Sequence, residues 1–364
     1  MQKDYKRLGD YIQLVDKRNQ DLRDLPLMGL SISKEFIPSI ANTIGTDMST
    51  YRIIKRNHFA YGPVTSRNGE KITIALFDDY DEALISQAYI PFEVSDTNRL
   101  IPEYLIMWFR RPEFDRYARF MSHGSAREIF AWEDMCNVSL PVPTIEKQRE
   151  IVAEYNAIQN RINLNNQLIQ KFEETAQAIY KQWFVEGIDV ENLPEGWRLE
   201  KLEKCANLKY GKMLDSELFL EKGFPVFSGY GIRGYYSEYM YDEPQILVLC
   251  RGVSGTGEVK LSPKFSFITN LSIVVEIDIS FIQKMYLYYY LKNTDLKSLD
   301  SGSAQSMITT GDLYFQDVVL PPMEIQLKFE KAINKIMADI EIRSQEKQKL
   351  SELKDLLLSK LAAI

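Results

Sequence analysis

The sequence predicts an α+β protein that contains the same unit twice, and three observations carry that prediction. The segment Gly124-Ser125-Ala126 recurs 178 residues later as Gly302-Ser303-Ala304, and the match continues without a gap to Glu174 and Glu352. After each copy, a stretch of about 40 residues has apolar residues at helical spacing. The segments that precede these stretches contain short strand-like runs separated by turns. Because an ungapped match preserves helical phase, both copies should form the same elements.

The first globular segment, residues 1–142, is predicted to mix strands and short helices. Lys71–Phe77 alternates between polar and apolar residues, and Ile85–Ile90 is a second strand candidate. Helices are expected over Pro102–Phe109 and from Pro112 onward, because the first turn of a helix does not need the N–H that proline lacks.

The first long helix is predicted for residues 143–187. From Thr144 the apolar residues recur at steps of three and four over about 40 residues, which corresponds to roughly 60 Å of helix. Gly187 follows in the manner of a C′ glycine. Asn165 interrupts the apolar seam, and we interpret it as a polar residue that sets the register of helix pairing. The other residues assigned here to the seam and to partner docking are Ile158, Ile162, Phe172 and Ile179.

The second globular segment, residues 188–320, starts with a linker at 188–196. It is rich in glycine and tyrosine and is predicted to be mostly β, with Gln245–Cys250 and Ser272–Ile277 as its clearest strands. A pair of prolines then opens the second long helix, predicted for residues 321–364. Its assigned seam and docking residues are Ile336, Ile340, Leu350 and Leu357.

The two long helices are expected to pair with each other. An apolar stripe of that length must be buried, and each helix is too long to be covered by its own globular segment. The short linker requires the second segment to start where the first helix stops, which favours antiparallel pairing. The predicted architecture is therefore two mixed α/β domains separated by an antiparallel coiled coil, with an internal pseudo-twofold repeat.

Composition restricts the class of protein. The net charge is −7, and residues 1–142 carry 18 basic against 20 acidic side chains. Residues 195–320 carry 13 basic against 16 acidic. A nucleic-acid role would therefore need clustered bases or a partner that contributes positive charge, because phosphate contacts supply most of the affinity. The three cysteines are far apart in the sequence, which predicts reduced thiols. The sequence shows neither a long apolar run nor a leader, so we expect a cytoplasmic protein.

The sequence offers no catalytic or metal-binding constellation. Gly229–Gly234 fits GxGxxG, but the tyrosine-rich stretch after it is a poor helix start, which disfavours a dinucleotide turn. Arg251–Gly257 lacks the Gly-Lys-Ser/Thr of a phosphate loop, so a flexible hairpin and a DNA-contacting loop both stay open. There is no methyltransferase tetrapeptide, and the two histidines and three cysteines lack the spacing of metal ligands.

The two Gly-Ser-Ala loops are the main candidates for nucleic-acid contact. Small residues let a backbone approach a ligand, serine suits phosphates, and the following Arg127 and Gln305 can reach base edges. The alternative is a repeated tight turn that serves only the fold. A basic cluster at Arg52–Arg56, extended by Arg67, is a second candidate, and its alternative is a solvated basic face.

Several of these motifs together resemble a known family. Leu140-Pro-Val-Pro-Thr-Ile-Glu-Lys-Gln148 and Leu320-Pro-Pro-Met-Glu-Ile-Gln326 open the two long helices, and Leu193-Pro-Glu-Gly-Trp197 opens the second globular segment. With the Gly-Ser loops, they make the chain similar to the specificity subunit of type I restriction-modification systems over nearly its whole length.

The resemblance implies a non-catalytic protein whose two target-recognition domains each read one half of a split, double-stranded DNA sequence. It implies that the helices fix the spacer and dock two modification subunits. Those partners would methylate adenine with S-adenosylmethionine, so no cofactor is expected on this chain. A restriction subunit, acting as translocase and nuclease, is a further partner of the family. The opposing hypothesis is a coiled-coil adaptor that binds protein and not DNA, which the net acidity favours.

The resemblance leads us to nominate DNA-contacting residues in both segments. In residues 1–142 these are Arg52, Lys55, Arg56, Arg67, Ser125 and Arg127. In residues 188–320 they are Lys209, Lys212, Tyr230, Arg233, Arg251, Ser254, Ser303 and Gln305.

Overall fold

The protein is α+β, and similar but not identical runs of elements occur in two compact units. The computed structural model describes residues 5–66, 69–123, 128–252, 255–300 and 307–363. Unit 1 comprises Met1–Asn166 and Gln345–Ile364, and unit 2 comprises Gln167–Ser344. Because the division falls inside both long helices, each unit contains part of each helix.

Unit 1 is built from small sheets, short helices and the start of the first long helix. Its helices are α1 (Pro102–Phe109), α2 (Pro112–Met121), α3 (Trp132–Cys136) and the first half of α4 (Ile145–Phe184). Its strands are β1 (Tyr5–Arg7), β2 (Ile12–Leu14), β3 (Leu27–Leu30), β4 (Phe36–Pro38), β5 (Arg52–Lys55), β6 (Phe59–Tyr61), β7 (Ile74–Leu76), β8 (Glu82–Ile85), β9 (Ile90–Val94) and β10 (Ser139–Pro141). They form sheets in the orders β2-β9-β6-β7, β4-β3-β8-β5 and β1-β10, antiparallel except for the parallel pair β3 and β8.

Unit 2 contains the end of α4 and most of the β structure predicted from its sequence. Its strands are β11 (Arg198–Lys201), β12 (Ala206–Tyr210), β13 (Phe224–Phe227), β14 (Ile232–Tyr236), β15 (Ile246–Leu249), β16 (Val259–Leu261), β17 (Phe267–Ile268), β18 (Ser272–Ile277) and β19 (Asp317–Leu320). Its helices are α5 (Leu202–Cys205), α6 (Lys284–Asn293), α7 (Thr310–Tyr314) and the first part of α8 (Met323–Lys360). The sheets have the orders β12-β18-β15-β16, β14-β13-β17 and β11-β19.

The repeat is visible in matching contacts as well as in matching elements. Strand β1 pairs with β10 just before α4, and β11 pairs in the same antiparallel sense with β19 just before α8. Helix α7 lies 178 residues after α3. The hydroxyl of Tyr104 on α1 donates to the Pro141 carbonyl at 3.0 Å, and that of Tyr286 on α6 donates to the Val319 carbonyl. The same sequence pattern therefore produces the same packing twice.

One predicted strand is wrong. Ile85–Ile90 is not a strand, because β8 ends at Ile85, and Ser86–Tyr89 form a turn before β9 begins at Ile90. The Tyr89 N–H donates to the Ser86 carbonyl at 3.1 Å in this turn. An apolar residue at each end of a short polar turn produced the appearance of one strand.

Each unit buries its own part of the long helices. In unit 1, Ile151 and Tyr155 from the start of α4 share a core with Leu358 and Leu361 from the end of the chain. The core continues into aromatic residues of the sheet, such as Phe59 and Phe92, whose rings stack at 4.9 Å.

In unit 2 the opposite ends of the helices meet. Phe184 at the end of α4 contacts Phe329 near the start of α8 with ring centroids 4.9 Å apart. The ring of Tyr286 on α6 lies 4.7 Å from the Phe184 ring, which joins α6 to the same core. No helix formed by the described residues is long and apolar enough to span a membrane.

The seam residues differ in how far they are buried. Ile158 and Ile162 are buried, and Asn165 is fully buried with no hydrogen bond to any described residue from either amide atom. The remaining assigned residues are half-buried, namely Phe172, Ile179, Ile336, Ile340, Leu350 and Leu357.

The first segment of the chain also lies against the last. The hydroxyl of Tyr5, the first residue of β1, donates to the Ala362 carbonyl at 3.0 Å in unit 1. In unit 2 the end of α4 contacts the residue before β11. The ring centroids of Phe184 and Trp197 are 6.0 Å apart. Both units thus bring a long-helix end next to the first strand of a repeat.

Candidate nucleic-acid interface

In unit 2, one end of the sheet β12-β18-β15-β16 gathers several of the nominated residues. The register pairs Leu249, the last residue of β15, with Ser272, the first of β18, and Tyr210 at the end of β12 with Ile273. Because these neighbours are antiparallel, the chain leaves β15 and β12 at the same edge. Arg251 and Lys212 follow those strand ends, so both lie at this edge of the sheet.

The residues that follow the second Gly-Ser-Ala copy are fastened to the same edge. Ile308 N–H donates to the Cys250 carbonyl at 3.0 Å, and Met307 forms an isolated antiparallel bridge with Arg251. Met307 N–H also donates to the Asp300 carboxylate at 2.9 Å, which ties together the two ends of the described chain around this copy.

Unit 1 fastens the residues that follow the first copy in the equivalent way. Phe130, which lies 178 residues before Ile308, donates its N–H to the Pro63 carbonyl at 2.9 Å, just after β6. Val64 bridges Ile129, and Thr65 N–H donates to the Glu128 carbonyl at 3.0 Å. In both units the residues that follow the Gly-Ser-Ala copy are therefore attached to the segment that leaves an interior strand. We call each such arrangement a loop pair, formed by 63–65 with 128–130 in unit 1 and by 250–252 with 307–308 in unit 2.

The base of the first loop pair contains residues that the sequence did not single out. His123 and Ile129 exchange backbone hydrogen bonds of 3.2 and 2.9 Å. The Arg119 guanidinium forms an ion pair with the Glu128 carboxylate at its base. Only the register of the repeat, which aligns Phe130 with Ile308, could have pointed to these positions.

The basic cluster of β5 belongs to a different sheet from β6, the strand that leads to the loop pair. Arg52, Lys55 and Arg56 lie on or just after β5, in the sheet β4-β3-β8-β5. Each faces a carboxylate, with Arg52 3.6 Å from Asp16, Lys55 3.6 Å from Glu82, and Arg56 3.5 Å from Asp81. Their charges are partly used within the unit, and their contact with DNA stays a prediction.

The nominated cations of unit 2 fall into two groups. Lys209 on β12 is exposed but forms an ion pair with Glu276 at 2.7 Å. Burial would raise the pKa of the Glu276 carboxyl, but bonds from Lys209, Tyr241 and Asn207 hold that pKa below its usual value. Lys212, Arg233 and Arg251 are exposed and form no ion pair with a described carboxylate. These three side chains are the ones whose charge is available to a phosphate.

Tyr230 is the nominated aromatic residue, and its ring is 43% exposed. Its hydroxyl donates to the Arg251 carbonyl at 2.8 Å, so it belongs to the same edge of the sheet as the loop pair. The other nominated residues lie outside the described part of the chain, namely Arg67, Ser125, Arg127, Ser254, Ser303 and Gln305.

These residues provide side chains and backbone groups that can bind a ligand. Exposed guanidinium and ammonium groups, backbone N–H groups and an aromatic ring suit phosphates and bases. Within the described ranges, His, Cys, Asp and Glu side chains form no group that could hold a metal ion.

The comparisons of this sequence with known proteins agree on one protein family. The family model described as type I restriction modification DNA specificity domain matches residues 9–174 and 194–352. The chain is 26% identical over 161 residues to the type I restriction enzyme HindI specificity subunit of Haemophilus influenzae, covering 43% of this chain and 34% of that protein. It is 23% identical over 262 residues to the MjaVIII specificity subunit of Methanocaldococcus jannaschii, covering 62% of this chain and 61% of the relative.

A solved structure shares the fold. The crystal structure of the S subunit of a type I restriction-modification system from M. genitalium superimposes with a TM-score of 0.63 at 17% identity. The superposition covers 99% of this chain and 96% of that one. The similarity therefore extends over the whole arrangement of elements, although the sequences have diverged widely.

Proposed function

The chain belongs to the type I restriction modification DNA specificity domain family, and on that premise we propose that it is the sequence-reading subunit of a type I restriction-modification complex. The observation that carries the proposal is the repeated loop pair. Phe130 binds the Pro63 carbonyl in unit 1 as Ile308 binds the Cys250 carbonyl in unit 2. Two equivalent readers in one chain suit a target with two parts.

Each unit, in this proposal, reads one half of a bipartite double-stranded DNA site. The segments attached to the repeated loops differ between the units, with Val64 in unit 1 where unit 2 has Arg251. The isopropyl group of Val64 and the guanidinium of Arg251 favour different base edges, because arginine donates to guanine whereas apolar groups contact the thymine methyl. The two halves of the target are therefore expected to differ in sequence.

The long helices are proposed to form an antiparallel coiled coil that fixes the spacer between the halves. Two sets of contacts support this. In unit 1 the start of α4 packs with the end of α8, and Arg161 and Glu346 form an ion pair at 2.6 Å. In unit 2 the end of α4 packs with the start of α8 through Phe184 and Phe329. In each unit taken by itself, the parts of α4 and α8 run in opposite directions.

Two modification subunits are proposed to dock on the helices and to carry the S-adenosylmethionine. Leu164, Leu353 and Leu356 leave 52%, 47% and 50% of their surface exposed on unit 1, and this apolar surface would be covered by a docked partner. Ile158 and Ile162 are buried and would serve the seam and not the partner. Bound partners would also compensate the net charge of −7 when the complex encloses DNA. The chain itself is proposed to be non-catalytic.

The test is methylation by a reconstituted complex. The full chain is co-expressed with the modification subunit encoded beside it, purified, and incubated with a random DNA library and S-adenosylmethionine. We expect methylated adenines within one bipartite motif, and no methylation by either component alone. A chain that binds protein partners but leaves methylation unspecific would support the coiled-coil adaptor. Methylation by the isolated chain would show that it is an enzyme.

A further inference from the structure

Two glycine-rich segments of unit 2 form one interlocked structure. The Tyr230 hydroxyl donates to the Arg251 carbonyl at 2.8 Å. A Cβ added to Gly252 would lie 2.3 Å from the Tyr230 hydroxyl oxygen, and one added to Gly255 would lie 2.6 Å from Cε1 of the ring. These distances are too short for any side chain, so the tyrosine occupies the space that glycine leaves at both positions.

The segment that presents Tyr230 is fixed to the sheet. Ser228 donates both its N–H and its hydroxyl to the Gly231 carbonyl, at 3.1 and 3.2 Å, which closes a tight turn. The Ser272 hydroxyl donates to the Ser228 carbonyl at 3.1 Å from the start of β18. Gly229 has a φ of +80°, and a Cβ there would lie 2.6 Å from the Leu249 side chain. The ring is therefore held on the ends of β15 and β18.

The segment that receives Tyr230 depends on it for its shape. Gly252 has a φ of +120°, and its carbonyl accepts the Thr256 hydroxyl at 2.6 Å. Gly257 N–H donates to the Leu249 carbonyl at 2.8 Å, which anchors the far end of the segment. Between these anchors, the contact with Tyr230 fixes the Arg251 peptide, and hence the direction in which the exposed Arg251 side chain leaves the backbone.

We propose that Tyr230 is a positioning residue for half-site recognition by unit 2, and that it acts by holding Arg251, Gly252 and Gly255 against the sheet edge. This inference rests on the proposed function. It gives one role to the two glycine motifs at Gly229–Gly234 and Arg251–Gly257, which the sequence alone did not connect. The glycine at 255 is explained by the tyrosine ring, and the glycine at 252 by the ring together with its positive φ. Arg251 is the residue whose placement the contact sets.

The inference predicts that Tyr230 and Gly255 act as a coupled pair. Gly255 has an ordinary φ, so Gly255→Ala is disfavoured by the tyrosine ring and not by backbone strain. We expect Tyr230→Phe, which removes only the hydroxyl, to reduce base discrimination in one half-site about fivefold, the effect of one neutral hydrogen bond. Tyr230→Ala and Gly255→Ala should each reduce it further, and the double variant should be no worse than Tyr230→Ala.

Two measurements on the reconstituted complex test the coupling. The first is the consensus of methylated sites from a random DNA library. The second, on the full chain without DNA, is hydrogen exchange of peptides that cover residues 249–258. Tyr235→Phe is the matched control, because Tyr235 is 37% exposed on β14 and its hydroxyl bonds to no described residue. It should change neither measurement.

The outcomes are distinguishable. Faster exchange in the single variants, without a further increase in the double variant, supports the interlock, and loss of discrimination in one half-site supports its role in reading. Additive exchange effects would overturn the interlock. Coupled exchange with an unchanged consensus would overturn the positioning role. If the unaltered complex yields no bipartite consensus, the proposed function fails, while the exchange data still decide the interlock.

Discussion

Gln148 and Gln326 hold the same contact in the two copies of the repeat. The Gln148 side-chain oxygen accepts the N–H of Ile101, the residue that caps α1, at 2.8 Å. The Gln326 oxygen accepts the N–H of Gln283, which caps α6, at 2.9 Å. Each amide also donates to the carbonyl of a proline before its own helix, at 2.9 and 2.8 Å. A glutamine in the first turn of a long helix thus fastens that helix to the preceding domain.

Replacing either glutamine should destabilise only its own unit. Both are at most 1% exposed, so alanine would leave a buried N–H and a buried carbonyl without partners, at a cost of about 2–3 kcal/mol. Hydrogen exchange should report the loss for Gln148→Ala in α1 and for Gln326→Ala in α6. The control is Gln170→Ala, at an exposed site on α4, which should stay within about 0.5 kcal/mol of the parent. A loss of protection spread evenly over both units would contradict the assignment.

Asn165 should limit the stability of the protein. Its amide is fully buried and makes no hydrogen bond with the described residues, so it loses water without compensation. We expect Asn165→Leu to raise the free energy of unfolding by about 1–2 kcal/mol. The exposed neighbour Asn166 provides the control, since Asn166→Leu should give no gain in urea denaturation. Destabilisation by Asn165→Leu would show that the amide is satisfied in solution and that its polarity is needed.

Glu330 should make the stability of unit 2 dependent on pH. Burial raises the pKa of this carboxyl, although its bonds from Met285 N–H and Asn334 oppose the rise. Because the folded pKa exceeds the unfolded one, the related stability is complete below the ordinary carboxyl pKa and is lost as the pH rises through the raised value. Glu330→Gln cannot ionise, and it keeps an acceptor for the Met285 N–H, which lies 2.7 Å from the carboxylate. The variant should therefore gain stability over the parent as the pH rises through this window.

The control for this pH dependence is Glu324→Gln. Glu324 is exposed, and a hydrogen bond from Lys328 holds its pKa below the usual range. Its contribution has the opposite sign, because it is present above the unfolded pKa and is lost as the pH falls. Urea titrations at several pH values should thus separate the two variants. Parallel curves for Glu330→Gln and the parent would exclude a raised pKa at Glu330.

Arginine substitutions should separate the two half-sites. Arg251→Ala should relax or weaken recognition of one half, and Arg127→Ala that of the other. A bidentate base contact would account for about 1–3 kcal/mol of discrimination in each case, whereas a phosphate contact would weaken all sequences equally. The consensus of sites methylated by each reconstituted variant is the measurement. Equal relaxation of both halves by one substitution would show that the units do not read independently.

Local patterns predicted α1, α2, α4 and α8, but not α6, which lies in the segment predicted to be mostly β. The spacing of three and four residues from Thr144 predicted a helix of about 40 residues, and α4 has 40. Prolines at 102 and 112 marked the starts of α1 and α2. Such signals are reliable because helix periodicity and N-terminal proline are properties of neighbouring residues. The error at Ile85–Ile90 arose where a turn contains neither glycine nor proline, so no local residue marked it.

The candidate site was predictable only in part, because its contacts join residues that are distant in sequence. The repeat pointed to the Gly-Ser-Ala loops, but nothing near Pro63 or Cys250 indicated that these residues would hold them. The cluster at Arg52–Arg56 gave a strong basic signal. Its partners Asp16 and Glu82 lie elsewhere in the chain, so a count of local charges could not reveal the neutralisation.

The hydrogen bond from Tyr5 to the Ala362 carbonyl shows that the last element of the repeat series lies beside the first. In unit 2 the chain passes from the end of α4 through residues 188–196 to β11, and in unit 1 the end of α8 lies beside β1 without a covalent connection. A circular permutant that joins residue 363 to residue 5 through a short linker and opens at 188–196 would keep every strand and helix neighbour. We therefore expect the contacts inside each unit to be independent of which repeat comes first in the chain.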